Sequence, residues 1–118
     1  MVSVLIDAEN VRRSVWPNIS ADELVELCRA WAEREHVRAV VVFDGRALGD
    51  VVGEEERAGL LLVGTGGETA DDWIAREAGR FRPYWLVTSD RELRERAASA
   101  ERTIGGGSFA RELRAGSR

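Results

Sequence analysis

Five aspartates of this 118-residue chain lie just after apolar runs or at the start of a helical pattern. Asp7 and Asp44 each follow an apolar run directly. Asp71 and Asp72 open a helical pattern, and Asp90 lies just past a later apolar run. If these runs are parallel strands, the acids meet at one edge of the sheet, because ligand sites of open α/β sheets lie outside the carboxyl ends of the strands. Two carboxylates about 5 Å apart repel each other by about 3 kcal/mol at an effective dielectric constant of about 20, so a cation would stabilise such a cluster.

The residue types at this edge favour a hard cation. Carboxylate oxygens without a neighbouring His or Cys are typical of Mg²⁺ or Mn²⁺ sites. The chain has one cysteine, Cys28, and one histidine, His36, which excludes a cysteine-based zinc or iron–sulfur site within one chain and an HExxH metalloprotease. A divalent ion held by carboxylates lowers the pKa of its bound water and stabilises charge on a phosphoryl group. This is the chemistry of phosphodiester hydrolysis.

Each acid also has a purely structural interpretation. Asp44 precedes Gly45 and fits a turn, and Asp90 fits the N-cap of the helix that follows it. Asp72 lies three residues after Thr69, which is the spacing of a helix cap and its partner. Asp7 ends an apolar strand and has the weakest structural alternative. The metal hypothesis depends on all of these positions occurring together.

The elements that must position these residues follow an alternating order. Apolar, β-rich runs alternate with helical patterns, which is typical of α/β folds with a mostly parallel sheet. The predicted strands are residues 2–6, 37–43, 60–63, 84–87 and 103–104. The predicted helices are residues 20–36, a helix opening at Thr69, residues 90–98 and residues 108–114. The polar segment 44–59 is predicted to be a loop or an irregular crossover, and the length favours one domain over residues 1–118.

Several short motifs occur in one order along nearly the whole chain. They are Asp7-x-x-Asn10, Trp16-Pro17, Val40-Val-Val-Phe-Asp44, Gly67-Glu-Thr-Ala-Asp71-Asp72, Val87-Thr-Ser-Asp90 and Ser108-Phe-Ala-Arg-Glu-Leu113. In this order they resemble the YacP-like NYN domains, a branch of the PIN-like nuclease fold. The resemblance implies a three-layer α/β/α PIN-like domain whose mostly parallel central sheet has four or five strands in the order 3-2-1-4-5.

The resemblance also implies an activity and the residues that carry it. It implies a Mg²⁺- or Mn²⁺-dependent endoribonuclease that acts on single-stranded or loop RNA. By position, Asp7, Asp71 and Asp90 match the metal-binding, catalytic acids of the family, and Asn10 matches a polar residue behind them.

Further residues are expected around this set. We expect Asp72 to contribute to the metal site, and Asp44, Thr69 and Ser89 to support it from behind.

RNA contacts are expected from arginines near the same edge. The candidates are Arg12, Arg13, Arg46 and Arg91. Trp16 and Trp73 could stack on bases, although packing is the favoured interpretation for both. The formal net charge of −4 opposes RNA binding, but two bound divalent ions would cancel it.

The sequence also gives expectations for the location of the protein, its partners and its alternative functions. No apolar run approaches the length of a membrane span, so we expect a cytoplasmic protein with RNA, and a ribosome or regulatory protein, as partners and no membrane contact. The oligomeric state is open. The main alternative is a catalytically silent RNA- or protein-binding module, and a toxin-like nuclease held inactive by a partner also stays open. A phosphate-accepting Asp7 is a weaker possibility.

Overall fold

The computed structural model describes residues 1–116. Within them, six strands form one sheet: β1 (Ser3–Asp7), β2 (Arg38–Phe43), β3 (Gly53–Arg57), β4 (Leu60–Gly64), β5 (Tyr84–Val87) and β6 (Arg102–Ile104). Five helices accompany these strands in the same part of the chain: α1 (Ala8–Arg13), α2 (Ala21–Glu35), α3 (Ala70–Glu77), α4 (Arg91–Arg96) and α5 (Gly106–Gly116). None of the helices among the described residues is long and apolar enough to cross a membrane.

The sheet is mostly parallel, and its order is β3-β4-β2-β1-β5-β6. The strands β4, β2, β1, β5 and β6 pair in parallel, and β3 pairs antiparallel with β4 at one edge. The five predicted strands follow one another as predicted, but the sheet has one strand more than expected, so its count and order differ at this edge. The mixed α/β class with a mostly parallel sheet is confirmed.

The additional strand corrects the prediction of a loop or crossover over residues 44–59. The β3 sequence, Gly-Glu-Glu-Glu-Arg, contains no apolar residue and therefore carries no hydrophobic period. A two-residue turn joins β3 to β4, and both of its residues, Ala58 and Gly59, have positive φ angles of 50° and 86°. This is the backbone of a tight hairpin turn, formed here without the usual Asn-Gly or Asp-Gly signal.

Helices cover both faces of the sheet. Side chains along each strand alternate between the two faces, and since both faces are apolar here, each packs against helices. Val4 and Ile6 of β1 pack with buried residues of α1, α2 and α5. Leu5, between them, packs with buried residues of α3 and α4 on the opposite face. The result is a three-layer α/β/α arrangement.

Both ends of α2 are capped, at the bounds of the predicted helix over residues 20–36. The Ser20 hydroxyl accepts a hydrogen bond from the backbone N–H of Glu23 at 3.1 Å. His36 is the C-cap and ends the helix in the left-handed conformation with φ of 56°. Trp31 of α2 contacts Phe109 edge-on, with ring centroids 4.8 Å apart, and this contact holds α5 against the same face.

Candidate metal centre

The carboxyl ends of three neighbouring parallel strands form the candidate site. β1 lies between β2 and β5, and its last residue, Asp7, pairs with Val42 of β2. Asp44 follows β2 directly, and Asp90 lies three residues beyond the end of β5. The parallel strand order therefore brings acids from distant parts of the chain to the two sides of Asp7.

Asp7 is the only buried acid among residues 1–116, with 5% of its surface exposed. Alternation along β1 places it on the same face as Leu5, the face that α3 and α4 cover. Its carboxylate accepts a hydrogen bond of 3.0 Å from the hydroxyl of Thr88, which is also fully buried.

The pKa values show that the acids at this edge interact. Burial, followed by repulsion from Asp44 and Asp90, raises the pKa of Asp7 to about 6, although Thr88 and the backbone of Asn10 act in the opposite direction. Partial burial raises the pKa of Asp71 to about 6 as well, and repulsion from Asp7, Asp90 and Asp44 adds to this rise. We refer to Asp7, Asp44, Asp71 and Asp90 as the acidic centre.

Two members of the acidic centre also fix the helices that begin there. The Asp44 carboxylate accepts a hydrogen bond of 2.6 Å from the backbone N–H of Ala70, the first residue of α3. The Asp90 carboxylate caps α4 by accepting from the N–H of Leu93 at 3.1 Å. Asp90 therefore has the helix-cap role that its position also allowed, and Asp44 fixes the start of α3; their roles toward a metal stay predictions.

Asn10 and Ser89 join three segments beside the acidic centre. The Asn10 Oδ1 atom accepts a hydrogen bond from the backbone N–H of Ser89 at 2.9 Å. The Ser89 hydroxyl in turn accepts from the backbone N–H of Gly106, at the start of α5, at 2.8 Å. A Cβ atom at position 106 would lie 2.2 Å from Asn10 Oδ1, so this junction requires glycine. Both predicted supporting residues therefore lie beside the site.

The structure separates Asp72 from the acidic centre. Its exposed carboxylate forms an ion pair with Arg96 of α4 at 2.9 Å. Thr69 caps α3 by accepting from the backbone N–H of Asp72 at 3.1 Å, so it orients the helix that carries Asp71. We correct the expectation for Asp72 and leave it out of the ligand set, because its position in α3 directs it toward α4.

The four predicted RNA-binding arginines have different surroundings. Arg12 is held by Glu9 and by the backbone carbonyl of Ile19, at 2.7 and 2.8 Å, so its guanidinium serves the fold. Arg13 and Arg46 are exposed and have only long ion pairs, of 3.6 and 3.8 Å. Arg91 is exposed at the start of α4. The last three are available to a ligand, whereas Arg12 is not.

The donor set suits a hard cation, although the arrangement is not a finished coordination site. The acidic centre offers only oxygen atoms, which Mg²⁺ and Mn²⁺ prefer. Burial is the main cause of the raised pKa values of Asp7 and Asp71, and the repulsion between neighbouring carboxylates that adds to them would be offset by a cation. No three acidic, histidine or cysteine side chains within residues 1–116 could hold a metal ion as they stand. Asp44 and Asp90 each use one carboxylate oxygen to accept a hydrogen bond from a backbone amide of α3 or α4.

The fold has close counterparts among solved structures. A crystal structure of Rae1 (YacP) from Bacillus subtilis with a W164L substitution has a TM-score of 0.75 and 20% sequence identity, and the match covers 98% of this chain and 76% of that one. A second Rae1 (YacP) structure from the same organism has a TM-score of 0.71 and 21% identity, over 98% of this chain and 75% of the other. The chain has the YacP-like fold. No protein-family model and no curated protein sequence matches it.

Two residues of the site in this YacP-like fold were not among the predicted site residues. Thr88 lies within the motif Val87-Thr-Ser-Asp90, and a small hydroxyl residue directly after a buried strand was the available signal. Gly106 lies in the run Gly105-Gly-Gly107, directly before the predicted helix over residues 108–114. Its role depends on a close approach to Asn10 from a distant segment, for which the sequence has no local signal.

Proposed function

We propose that the chain is a metal-dependent endoribonuclease that hydrolyses phosphodiester bonds of single-stranded or loop RNA. The observation that carries this proposal is the placement of Asp7, Asp44, Asp71 and Asp90 at the carboxyl ends of neighbouring parallel strands, where burial first and neighbouring carboxylates second raise the pKa values of Asp7 and Asp71 to about 6. Such a group is electrostatically unfavourable without a cation. The likeness of the motifs to the YacP-like NYN domains, together with the YacP-like fold, supports the choice of RNA and of hydrolysis.

Asp7, Asp71 and Asp90 would hold Mg²⁺ or Mn²⁺. A bound divalent ion supplies a more acidic water and an electrostatic partner for the charge on a phosphoryl group. Asp7 provides a buried carboxylate whose orientation the Thr88 hydroxyl restricts. Asp71 lies in the first turn of α3, which Asp44 holds by its bond to Ala70.

The RNA backbone would contact exposed arginines around this edge. Arg13 ends α1, which begins directly after Asp7, Arg46 lies two residues after Asp44, and Arg91 directly follows Asp90. Because each lies within about two helical turns of an acid of the acidic centre along the chain, all three suit contacts to phosphates of an RNA strand. A cytoplasmic location, and delivery of RNA by the ribosome or a regulatory protein, are further parts of this proposal.

The direct test is cleavage of a labelled single-stranded RNA with Mn²⁺ or Mg²⁺ and with EDTA. We expect cleavage with either ion and none with EDTA. Asp7→Asn and Asp90→Asn should each abolish cleavage, because both lose a charged ligand. Asp90→Asn keeps a good N-cap residue at the start of α4, so it should fold normally.

Asp72→Asn is the matched control. It removes a neighbouring carboxylate of the same motif that lies outside the acidic centre, paired with Arg96. We expect it to retain metal-dependent cleavage. Cleavage that survives in both Asp7→Asn and Asp90→Asn, or a loss in Asp72→Asn equal to theirs, would contradict the assignment.

A catalytically silent RNA-binding module is the second candidate. It is favoured by one observation, namely that Asp44 and Asp90 already bind helix amides and no three acids are arranged to hold a metal. This module would bind the same RNA with a similar affinity in Mn²⁺ and in EDTA and would never cleave it. Mn²⁺-dependent cleavage by the wild-type chain would exclude it.

A further inference from the structure

An exposed tryptophan and two arginines line a groove beside α5. Trp16 has 88% of its surface exposed, which contradicts the expectation that it packs into the fold, whereas Trp73 is buried as expected. The groove has a volume of about 590 Å³ and is lined by Ser14, Val15, Trp16, Arg111, Arg114 and Ala115. No acidic residue is among these.

The two arginines are differently placed for binding an anion. Arg111 is exposed and has only a long contact of 3.5 Å with the Ser108 hydroxyl, and no carboxylate within residues 1–116 forms an ion pair with it. Arg114 donates to the backbone carbonyl of Pro17 at 2.8 Å, with Glu23 at 4.0 Å. Arg114 therefore holds the Trp16 loop against α5, and Arg111 presents its guanidinium to solvent.

The groove lies on the face of the sheet that α1 and α5 cover, opposite to α3 and α4, and both helices begin near the acidic centre. α5 begins at Gly106, which is bonded to Ser89 and lies against Asn10. At a rise of about 1.5 Å per helical residue, Arg111 and Arg114 lie about 7.5 and 12 Å along the axis from Gly106. α1 begins directly after Asp7 and ends beside Ser14. An extended ligand strand that leaves the acidic centre and follows α1 and α5 would therefore enter the groove.

We propose that this groove binds the single-stranded RNA that the acidic centre cleaves, with an unpaired base stacked on Trp16 and a phosphate on Arg111. The inference rests on the proposed function for the identity of the ligand. The exposed indole offers a stacking platform that any base can use, and the arginines offer positive charge on a chain whose net charge is −4. Bases in a duplex are already stacked on their neighbours, so the groove selects single strands.

The test measures binding of a labelled RNA of about twelve nucleotides by fluorescence anisotropy in EDTA, where metal-dependent cleavage cannot occur. Trp16→Ala should weaken binding about tenfold, and Trp16→Phe should keep most of it, because a phenyl ring retains a stacking face. Arg82→Gln is the control and should bind like wild type. Arg82 is an exposed arginine that precedes β5, at the amino ends of the parallel strands, whereas the acidic centre lies at their carboxyl ends. A duplex of the same sequence should bind more weakly.

Salt dependence gives an independent readout. Each phosphate contact to a single strand contributes about −0.7 to the slope of log K against log salt concentration, so Arg111→Gln should reduce the slope by about that amount. Equal binding by wild type, Trp16→Ala and Arg111→Gln, or equal affinity for duplex and single strand, would overturn the groove assignment. The same holds if the wild type binds no RNA, or if Trp16→Ala converts a dimer to a monomer without changing RNA binding.

The two proposals fail in distinguishable ways. If wild type binds RNA through Trp16 and Arg111 but never cleaves it with Mn²⁺, the groove stands and the nuclease assignment is wrong. If cleavage depends on Asp7 but binding does not depend on Trp16, the nuclease assignment stands and the groove is wrong.

Discussion

Asp7 combines burial with nearby negative charge. It ends the central strand with only 5% of its surface exposed, and Asp44 and Asp90 lie on either side of it. Among residues 1–116, its carboxylate accepts hydrogen bonds from neutral donors, the Thr88 hydroxyl and the Asn10 backbone. The ionised form is therefore poorly compensated in the metal-free protein, and this makes stability depend on pH.

The metal-free protein should lose stability as the pH rises from about 4 to about 6. In this window the unfolded chain has already lost the Asp7 proton, with a pKa of 3.8, whereas the folded chain retains it up to about 6. Asp7→Asn has no proton to lose at this position, so its stability should not fall in this way. The difference in unfolding free energy between the variant and wild type should therefore shift in favour of the variant by up to about 3 kcal/mol as the pH rises from about 4 to about 6. Urea denaturation in EDTA at several pH values measures the difference. A loss of stability in Asp7→Asn at neutral pH would show that the carboxylate is a structural cap.

Asp71 and Asp72 show the limit of residue-level prediction. They are adjacent in one motif, and the sequence predicts both as ligands. Successive helical residues lie about 100° apart around the axis, so only one of them faces the acidic centre once Trp73 and Ile74 are packed in the core. Asp72 faces Arg96 instead. The phase of α3 depends on tertiary packing, which the motif does not contain.

At the level of elements, the beginning of α5 connects the site to the groove. The sequence predicts that this helix starts at Ser108, because glycines are poor helix formers. In the structure α5 starts at Gly106, whose N–H binds Ser89 and whose missing side chain admits Asn10. The gain from this junction outweighs the low propensity of glycine.

Gly106→Ala should disturb the site directly. The new methyl group would lie 2.2 Å from Asn10 Oδ1 and would displace the amide that binds Ser89. We expect a loss of about 1 to 3 kcal/mol in stability and reduced cleavage. Gly107→Ala is the control, because its methyl group would meet the flexible end of Arg111 at 3.3 Å and the Ser14 Cβ atom at 3.9 Å, which is an ordinary van der Waals contact. Thermal denaturation and cleavage assays on both variants measure the effect, and equal behaviour of the two would contradict this role for Gly106.

The elements with an apolar period could be predicted, and those formed by pairing alone could not. The five parallel strands and the caps of α2 follow from apolar runs and from capping residues. β3 could not be predicted, because it consists of charged residues and glycine. It pairs antiparallel with β4, and Arg38 and Arg80 offset the charges of Glu56 and Glu54.

For the molecule as a whole, strand order explains why the acids meet. β1 lies at the centre of the sheet, with β2 and β5 on its two sides, and all three run in the same direction. Their carboxyl ends, with the helices that begin there, bring Asp7, Asp44 and Asp90 together from positions far apart in the chain. The alternation of strands and helices predicts this convergence, whereas the side-chain bonds of Asp44 and Asp90 to α3 and α4 follow from packing alone.

The most direct test of the central claim is a calorimetric titration of Mn²⁺ into the metal-free protein without RNA. We expect saturable binding by wild type and by Asp72→Asn, and affinity lowered at least about tenfold in Asp7→Asn, since even residues behind metal ligands alter affinity by this much. No binding by wild type, or equal binding by all three proteins, would contradict the claim that the acidic centre holds a divalent ion.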